Sequence, residues 1–396
     1  MEAKSLTNIE PHVEVYDVQS ISTAAYGNAG KIALIGAFPT SSFKMGVFTR
    51  LDDAMEALKG EYKLPYDNSI ENANLEVVPT TYVSFYCLEY IFNNSRQSKG
   101  AESVLIVNTN YGKSTLVTSS NNSDIASACL LLDDEDFDIL TIAEVIPLAS
   151  NVSETLILNP ICNTLKSFVD SQLFIQKPFG IITGFDLTGA ETVLDDFKQL
   201  FNDKGIYKAV TTPVRINGDA NALNIAQSGC WHSAFTAGRQ VNKSETAKQY
   251  DELIGENSKD LYPVGATITY KNLLDNGFHT TRYRNRRLST VECLSNITPA
   301  DYDMKIERVK NYLIKRVSFA DVLGDDNVQV TRDYVKGLLE HEKQLAITNN
   351  YLVDMEYEVL PISNEVIQVE LKLYIADIIR VVKLNVEVKI AAYEGE

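Results

Sequence analysis

Four short stretches carry side chains whose types and spacing could do chemistry. Asn108–Thr115 (NTNYGKST) ends in the Gly-Lys-Ser-Thr pattern that, in a phosphate loop, wraps backbone amides around phosphates and sets a lysine against them. The full pattern needs another glycine five residues before Gly112, and Val107 stands there. Thr115–Val117 is strand-prone, so no helix N-terminus would face a phosphate. Leu130–Glu135 (LLLDDE) has the apolar run and acidic end of a magnesium-holding strand, yet it follows too closely to leave room for the intervening helix and strand. A polar β-turn and an acidic loop are the expected structures.

Gln227–His232 (QSGCWH) resembles the Gly-Ser-Cys-Trp neighbourhood of papain-like cysteine nucleophiles, but His232 lies so near Cys230 in sequence that on a helix the two would point to different faces. The residue order is wrong for the known cysteine nucleophile signatures, and Cys230 is expected to be a small buried apolar residue. Arg282, Arg284, Arg286 and Arg287, interleaved with Tyr283, could grip phosphates. In a chain of net charge −17 this cluster is better read as an ion-pairing surface for acidic loops such as Asp133–Asp136 or Asp325–Asp326. The adjacent acids Asp52–Asp53, Asp195–Asp196 and Asp325–Asp326 are ordinary solvated helix starts and loops. Five cysteines (Cys87, Cys129, Cys162, Cys230, Cys293) include no CxxC pair, and the four histidines fall at no ligand spacing. The expectation is no catalytic site, no metal and no cofactor.

The elements that would position such residues follow from patterning. With 45% apolar and 22% charged residues the chain is expected to fold, and its 396 residues allow two or three domains. No apolar run reaches membrane-spanning length, and the first residues lack a signal-peptide pattern, so assembly in a cytoplasm is expected, without membrane insertion. His12–Val18 (HVEVYDV) alternates like a half-exposed strand, and Lys31–Gly36 (KIALIG) reads as a buried strand. Thr49 and Asp52 suggest a capping box for a helix over Leu51–Leu58, with Gly60 as its stop. Residues 64–125 suggest an inserted β-rich region. Phe137–Val145, Phe179–Phe185 and Ile206–Val214 read as strands. Glu154–Asp170, interrupted by Pro160, and Ala190–Phe201 read as helices. This alternation predicts βαβ crossovers and a largely parallel sheet. Helices over Asp301–Val317 and Thr331–Thr348 precede strands over Tyr351–Leu360, Val366–Tyr374 and Lys383–Ile390.

The order of these features resembles contractile tail sheath proteins, the family of myovirus-type phage tails, tailocins and contractile injection systems. Lys31–Tyr62 is similar to the family's early strand, loop and short helix closing on glycine. Asp136–Val145 resembles its "FDVL" strand. Asn272–Thr298 is similar to the arginine-rich passage into the C-terminal domain, and the helix, helix, strand, strand order continues to Lys389. Two departures stand out: Pro11–Tyr16 (PHVEVY) replaces the usual Pro-Gly-Val-Tyr opening, and Ile225–Gly229 replaces a proline-rich turn.

The resemblance implies a multidomain α/β and α+β fold. Its parts would be an N-terminal arm (1–20), a sheath domain in two parts (21–63 and 126–270) around the 64–125 insertion, a C-terminal domain (271–380) and an arm strand (381–396). It implies a homo-oligomeric helical assembly around an inner tail tube, in contact with baseplate and terminator proteins, within a virion or tail-like particle, and no nucleic acid partner. It also implies that terminal arms join sheets of neighbouring subunits by β-strand addition. The residues carried over are Val13, Val15, Tyr16 and Val18 in the first arm and Leu384, Val386, Val388 and Ile390 in the second.

Overall fold

The computed structural model describes most of the chain from Ser22 to Ile375. The longer stretches outside it are 1–21, 24–29, 93–99, 187–205, 211–214, 217–224, 255–269, 294–302 and 376–396, with shorter gaps of one or two residues between. The first half runs β1 (Ser22–Thr23), β2 (Lys31–Gly36), β3 (Met45–Phe48), α1 (Leu51–Leu58), α2 (Val83–Ile91), β4 (Ser103–Asn108), α3 (Asn122–Leu131), β5 (Ile139–Ile142), β6 (Val145–Pro147), β7 (Ala149–Val152), β8 (Thr155–Leu158), α4 (Pro160–Phe174) and β9 (Gly180–Asp186). The second half runs β10 (Ile206–Val210), β11 (Arg215–Ile216), α5 (Ile225–Ala237), β12 (Gln249–Tyr250), β13 (Leu253–Ile254), α6 (Tyr270–Asp275), β14 (Phe278–His279), β15 (Thr281–Arg284), β16 (Arg287–Thr290), α7 (Lys305–Arg316), α8 (Gln329–Thr348), β17 (Asp354–Pro361) and β18 (Ile367–Ile375).

The large sheet has the order β14-β10-β9-β5-β2-β4-β3, with β6 also pairing β9. Its pairings are parallel except for β3 on β4. Strand β2 is central, and its continuous apolar run shows why: a parallel strand covered on both faces has no polar side. Ile32 and Leu34 enter one core with α1, α2 and α5. Ala33 and Ile35 enter the opposite core with α3 and α4, where Phe137, Phe168 and Phe179 pack ring against ring. Helix α5 lies close on β9, since a Cβ at Gly229 would sit 2.7 Å from the Gly184 nitrogen.

Three expectations need correction. Residues 64–125 are not a β-rich insertion: they hold α2, and β4 sits beside the central strand. The aromatics of α2 suggested strand, but Phe85, Leu88 and Ile91 recur at helical spacing and are fully buried, and tertiary burial outweighs propensity. Pro160 does not interrupt a helix but begins one, at the first position where its missing N–H costs nothing, while Thr155–Leu158 is strand β8. Thr49 does not cap α1: Arg50 is the N-cap residue and makes no side-chain cap bond. Gly60 does stop that helix at φ 63°, where a Cβ would strike the Pro39 carbonyl. The helix expected over Ala190–Phe201 lies outside the described residues.

The C-terminal part has its own core of α7, α8, β17 and β18, with Val309, Leu313, Leu339, Met355 and Val359 buried together. Helix α7 also ties this part to the large sheet. Lys315 Nζ donates to Asp136 Oδ1 (3.0 Å), the Phe137 carbonyl (2.5 Å) and Asp138 Oδ1 (3.1 Å), all just before β5. No helix among the described residues is long and apolar enough to cross a membrane.

Candidate functional site

An open parallel sheet places its ligand crevice outside the carboxyl ends of the strands, where chain order reverses. Here that point lies between β2 and β5, because the chain runs from β2 to β4 on one side and then crosses to β5 on the other. The crevice is filled by the protein's own polar groups. Glu144, just past β5 and 8% exposed, accepts from the Ala37 N–H (2.9 Å), the Ser84 hydroxyl (3.3 Å), the Ser120 N–H (2.6 Å) and the Ser120 hydroxyl (2.7 Å). Asn108 Oδ1 accepts from the N–H groups of Phe38 and Asn110, and its Nδ2 donates to the carbonyls of Thr40 and Phe43. Asn110 in turn binds the Phe38 carbonyl and both backbone groups of Val117. A buried carboxylate with four donors is a satisfied structural anion.

The phosphate-loop resemblance ends at the same place. Gly112 is a left-handed turn residue (φ 70°), and Lys113 Nζ binds Asp124 Oδ1 at 2.8 Å. Asp124 also closes a capping box with Asn121, so the N-terminus of α3 is occupied by its own side chains. Leu130 and Leu131 end that helix and form no metal-holding strand.

Cys230 and His232 lie on α5, both with no exposure. His232 stacks edge-on against His279 with ring centroids 4.5 Å apart. Burial, with Lys208 nearby, holds both imidazoles well below the usual histidine range. The Cys87 thiol is pushed up by burial and by its contact with Cys230. Beside them Lys208 Nζ pairs with Glu245 Oε2 and bonds Thr236 Oγ1. Burial opposes the charge on Glu245, but Lys208, Arg308 and Arg239 outweigh it and hold the carboxyl low. These are core groups of the joint with α7.

The register of the β15–β16 hairpin sets Arg284 opposite Arg287 and Arg282 opposite Ser289. Arg286 lies outside the described residues. So do the arm positions Val13, Val15, Tyr16, Val18, Leu384, Val386, Val388 and Ile390.

What the described chain does present is an open strand edge. Strands β17 and β18 pair antiparallel over eight residues from Asp354↔Tyr374 to Pro361↔Ile367. One face packs on α8 through Met355 and Val359, with the Tyr357 hydroxyl donating to Glu340 Oε2 at 2.9 Å. The other carries Glu356, Glu358, Gln368, Glu370 and Lys372, with Lys372 paired to Glu356 at 2.8 Å. On the far side of β18, β1 covers only Tyr374 and Ile375. Among the described residues no strand lies against Ile367–Leu373 on that side. Backbone N–H and C=O groups along such an edge are a template for another strand.

No protein-family model matches the sequence, and no curated protein matches it. Solved structures do match. The chain is similar to the sheath tail protein Lin1278 from Listeria innocua at TM-score 0.55 and 12% identity, over 89% of this chain and 96% of that one. It is similar to the sheath tail protein DSY3957 from Desulfitobacterium hafniense at TM-score 0.53 and 12% identity, over 91% of this chain and 99% of that one. The fold is that of sheath tail proteins. The likeness spans both the large sheet and the C-terminal part, so it is a likeness of the whole architecture and not of a common doubly wound core alone.

Glu144, Asn108 and Asn110 were not singled out from sequence as site residues. The available signal was an acid directly after the apolar run ILTIA, where a parallel strand delivers its next side chain to the crevice.

Proposed function

We propose that this chain is a non-enzymatic subunit that polymerises into the helical sheath around the inner tube of a contractile tail, and that its contraction drives the tube out. The observation that carries the proposal is the β18 edge against which no strand lies among the described residues, on a fold shared with sheath tail proteins. This chain's own switch-point crevice is filled by Glu144. Strand addition at that edge joins subunits through backbone hydrogen bonds. A head-to-tail contact of this kind generates an open helix when it does not close. The arms around Val13–Val18 and Leu384–Ile390 are the strands that neighbouring copies exchange. The arginine hairpin at Arg282, Arg284, Arg286 and Arg287 supplies an ion-pairing surface for acidic loops such as Asp325–Asp326. Contraction then moves rigid subunits between two packings while the arms keep them tethered, with the energy stored at assembly and no nucleotide consumed. Baseplate, terminator and tube proteins are the remaining partners, in a tail particle assembled in the host cytoplasm.

Negative-stain microscopy of the purified chain, alone and with its tube protein, tests this. Wide tubes with cogwheel cross-sections are expected. Narrow smooth tubes would make it a tube protein, and an absence of polymers under both conditions would contradict the proposal. Removing residues 385–396 should leave a folded monomer that forms no tubes.

A further inference from the structure

Helix α7 meets the large sheet across a small cleft. One wall is Asp138 and Pro178, which lead into β5 and β9, together with Tyr207 of β10. The other is Arg308, Asn311 and Tyr312 of α7. Asn311 donates to the Tyr207 hydroxyl, so an amide and a phenol already bridge the two walls. The cleft has a free volume of about 20 Å³. One water needs about 10–15 Å³ of such space, so a particle slightly larger than water fits and a group the size of phosphate does not.

Arg308 gives the cleft its sign. It is 5% exposed, and its guanidinium keeps its charge. Nη2 donates to the Arg239 carbonyl at 2.8 Å, a neutral acceptor, whereas Nη1 is buried and has no hydrogen-bond partner among the described residues. No described carboxylate lies within ion-pair distance of it. The acids in its surroundings are already engaged. Glu245 pairs with Lys208. Asp138 accepts from the Lys31 N–H at 3.2 Å and from Lys315 Nζ at 3.1 Å. Asp303 accepts from the Ser244 and Thr246 hydroxyls and the Lys305 N–H. Burial pulls the guanidinium below its usual range, and Glu245 and Asp138 offset this only in part. A buried cation with a bare donor and no ion-pair partner of its own calls for a counter-charge.

We propose that this cleft binds a monovalent anion of halide size, held by Arg308 between the large sheet and α7. The inference goes beyond the polymerising role and stands without it. The ion accepts from Nη1 and offsets the guanidinium charge, which the occupied oxygens of Asp138 do not do. Because the two walls come from different parts of the chain, the ion fastens α7 to the large sheet beside the Lys315 contacts. An anion that binds the folded chain alone raises its stability in proportion to the logarithm of occupancy.

The test is thermal unfolding of the dilute full-length chain at fixed pH and ionic strength, with sodium chloride or sodium bromide replacing sodium gluconate, whose anion is too large for the cleft. Both halides should raise Tm along a saturating curve, by about 3 °C or more at its plateau. Arg308→Gln keeps an amide donor for the Arg239 carbonyl and removes the charge, so its Tm should be the same in all three salts. The second readout is the parent chain crystallised in bromide, where the anomalous difference map should show a peak within hydrogen-bonding reach of Arg308 Nη1. That map decides alone if the variant does not fold. Equal Tm of the parent in halide and gluconate, an unsaturating drift shared by Arg308→Gln, or a cleft that holds only water in bromide would each overturn the site. None of these readouts depends on whether the chain forms tubes, so failure here leaves the polymerising role standing, and the reverse holds.

Discussion

The two sheets of this molecule treat their exposed backbone in opposite ways. The large sheet has the topology that usually binds a ligand at its switch point, yet Glu144, Asn108 and Asn110 consume the donors and acceptors there. The small sheet is two long strands and the two-residue β1, and among the described residues no strand pairs with Ile367–Leu373 on the side of β18 away from β17. Polar groups that are satisfied internally stabilise a fold, whereas those left on an edge can recognise another chain. The proposed assembly role accordingly rests on the smaller sheet, whereas the large sheet spends its polar groups on its own fold.

Perturbing the large sheet should therefore cost stability, and perturbing the small one should cost assembly. The largest loss is expected for Lys208→Met, which strands the buried Glu245 carboxylate: about 3–5 kcal/mol by denaturant titration. Glu144→Ala should follow at about 3 kcal/mol, since it leaves buried N–H and hydroxyl donors without their acceptor. Whatever fraction of that variant remains folded should still form tubes; loss of polymerisation without loss of stability would mean that the switch point is functional.

Acidity gives a graded version of the same contrast. His232 and His279 are held neutral in the fold, so below their ordinary value of 6.5 the unfolded chain binds more protons than the folded one. Stability should accordingly fall as pH drops below about 6.5, at a limiting slope of about 1.4 kcal/mol per pH unit for each histidine. The depressed Glu245 carboxyl adds its own loss further into acid, as pH falls through its folded value. Chemical denaturation between pH 7 and 5 checks the sign, and stability rising on acidification would contradict the burial of this pair. The smallest stability effect is expected for Leu371→Lys on the open edge, where the side chain is 39% exposed: within about 0.5 kcal/mol of the parent, but with tube yield sharply reduced.

Much of this architecture was legible in the sequence where burial imposes a local pattern. KIALIG and FGIITGF read as strands because both faces of a parallel strand must be apolar, and α7, α8, β17 and β18 read correctly from their periodicities. Helix α2 did not, because Tyr82–Phe92 is rich in aromatics whose helical state is decided by packing on α5. The closed crevice was illegible for a different reason. Glu144 meets Ala37, Ser84 and Ser120, residues 107, 60 and 24 positions away, and no local pattern encodes such a meeting. The alternation of Val366–Tyr374 announced a strand with one apolar face, but which of its sides is unpaired among the described residues follows only from the pairings with β17 and β1.

Hydrogen exchange compared between free subunits and assembled polymer tests the central claim most directly, because it reads both sheets in one experiment. The account predicts that amides within Ile367–Leu373 gain protection on assembly while those of the loops around Glu144, Asn108 and Asn110 do not change. Protection gained at those loops, with the β18 edge exchanging as before, would contradict it.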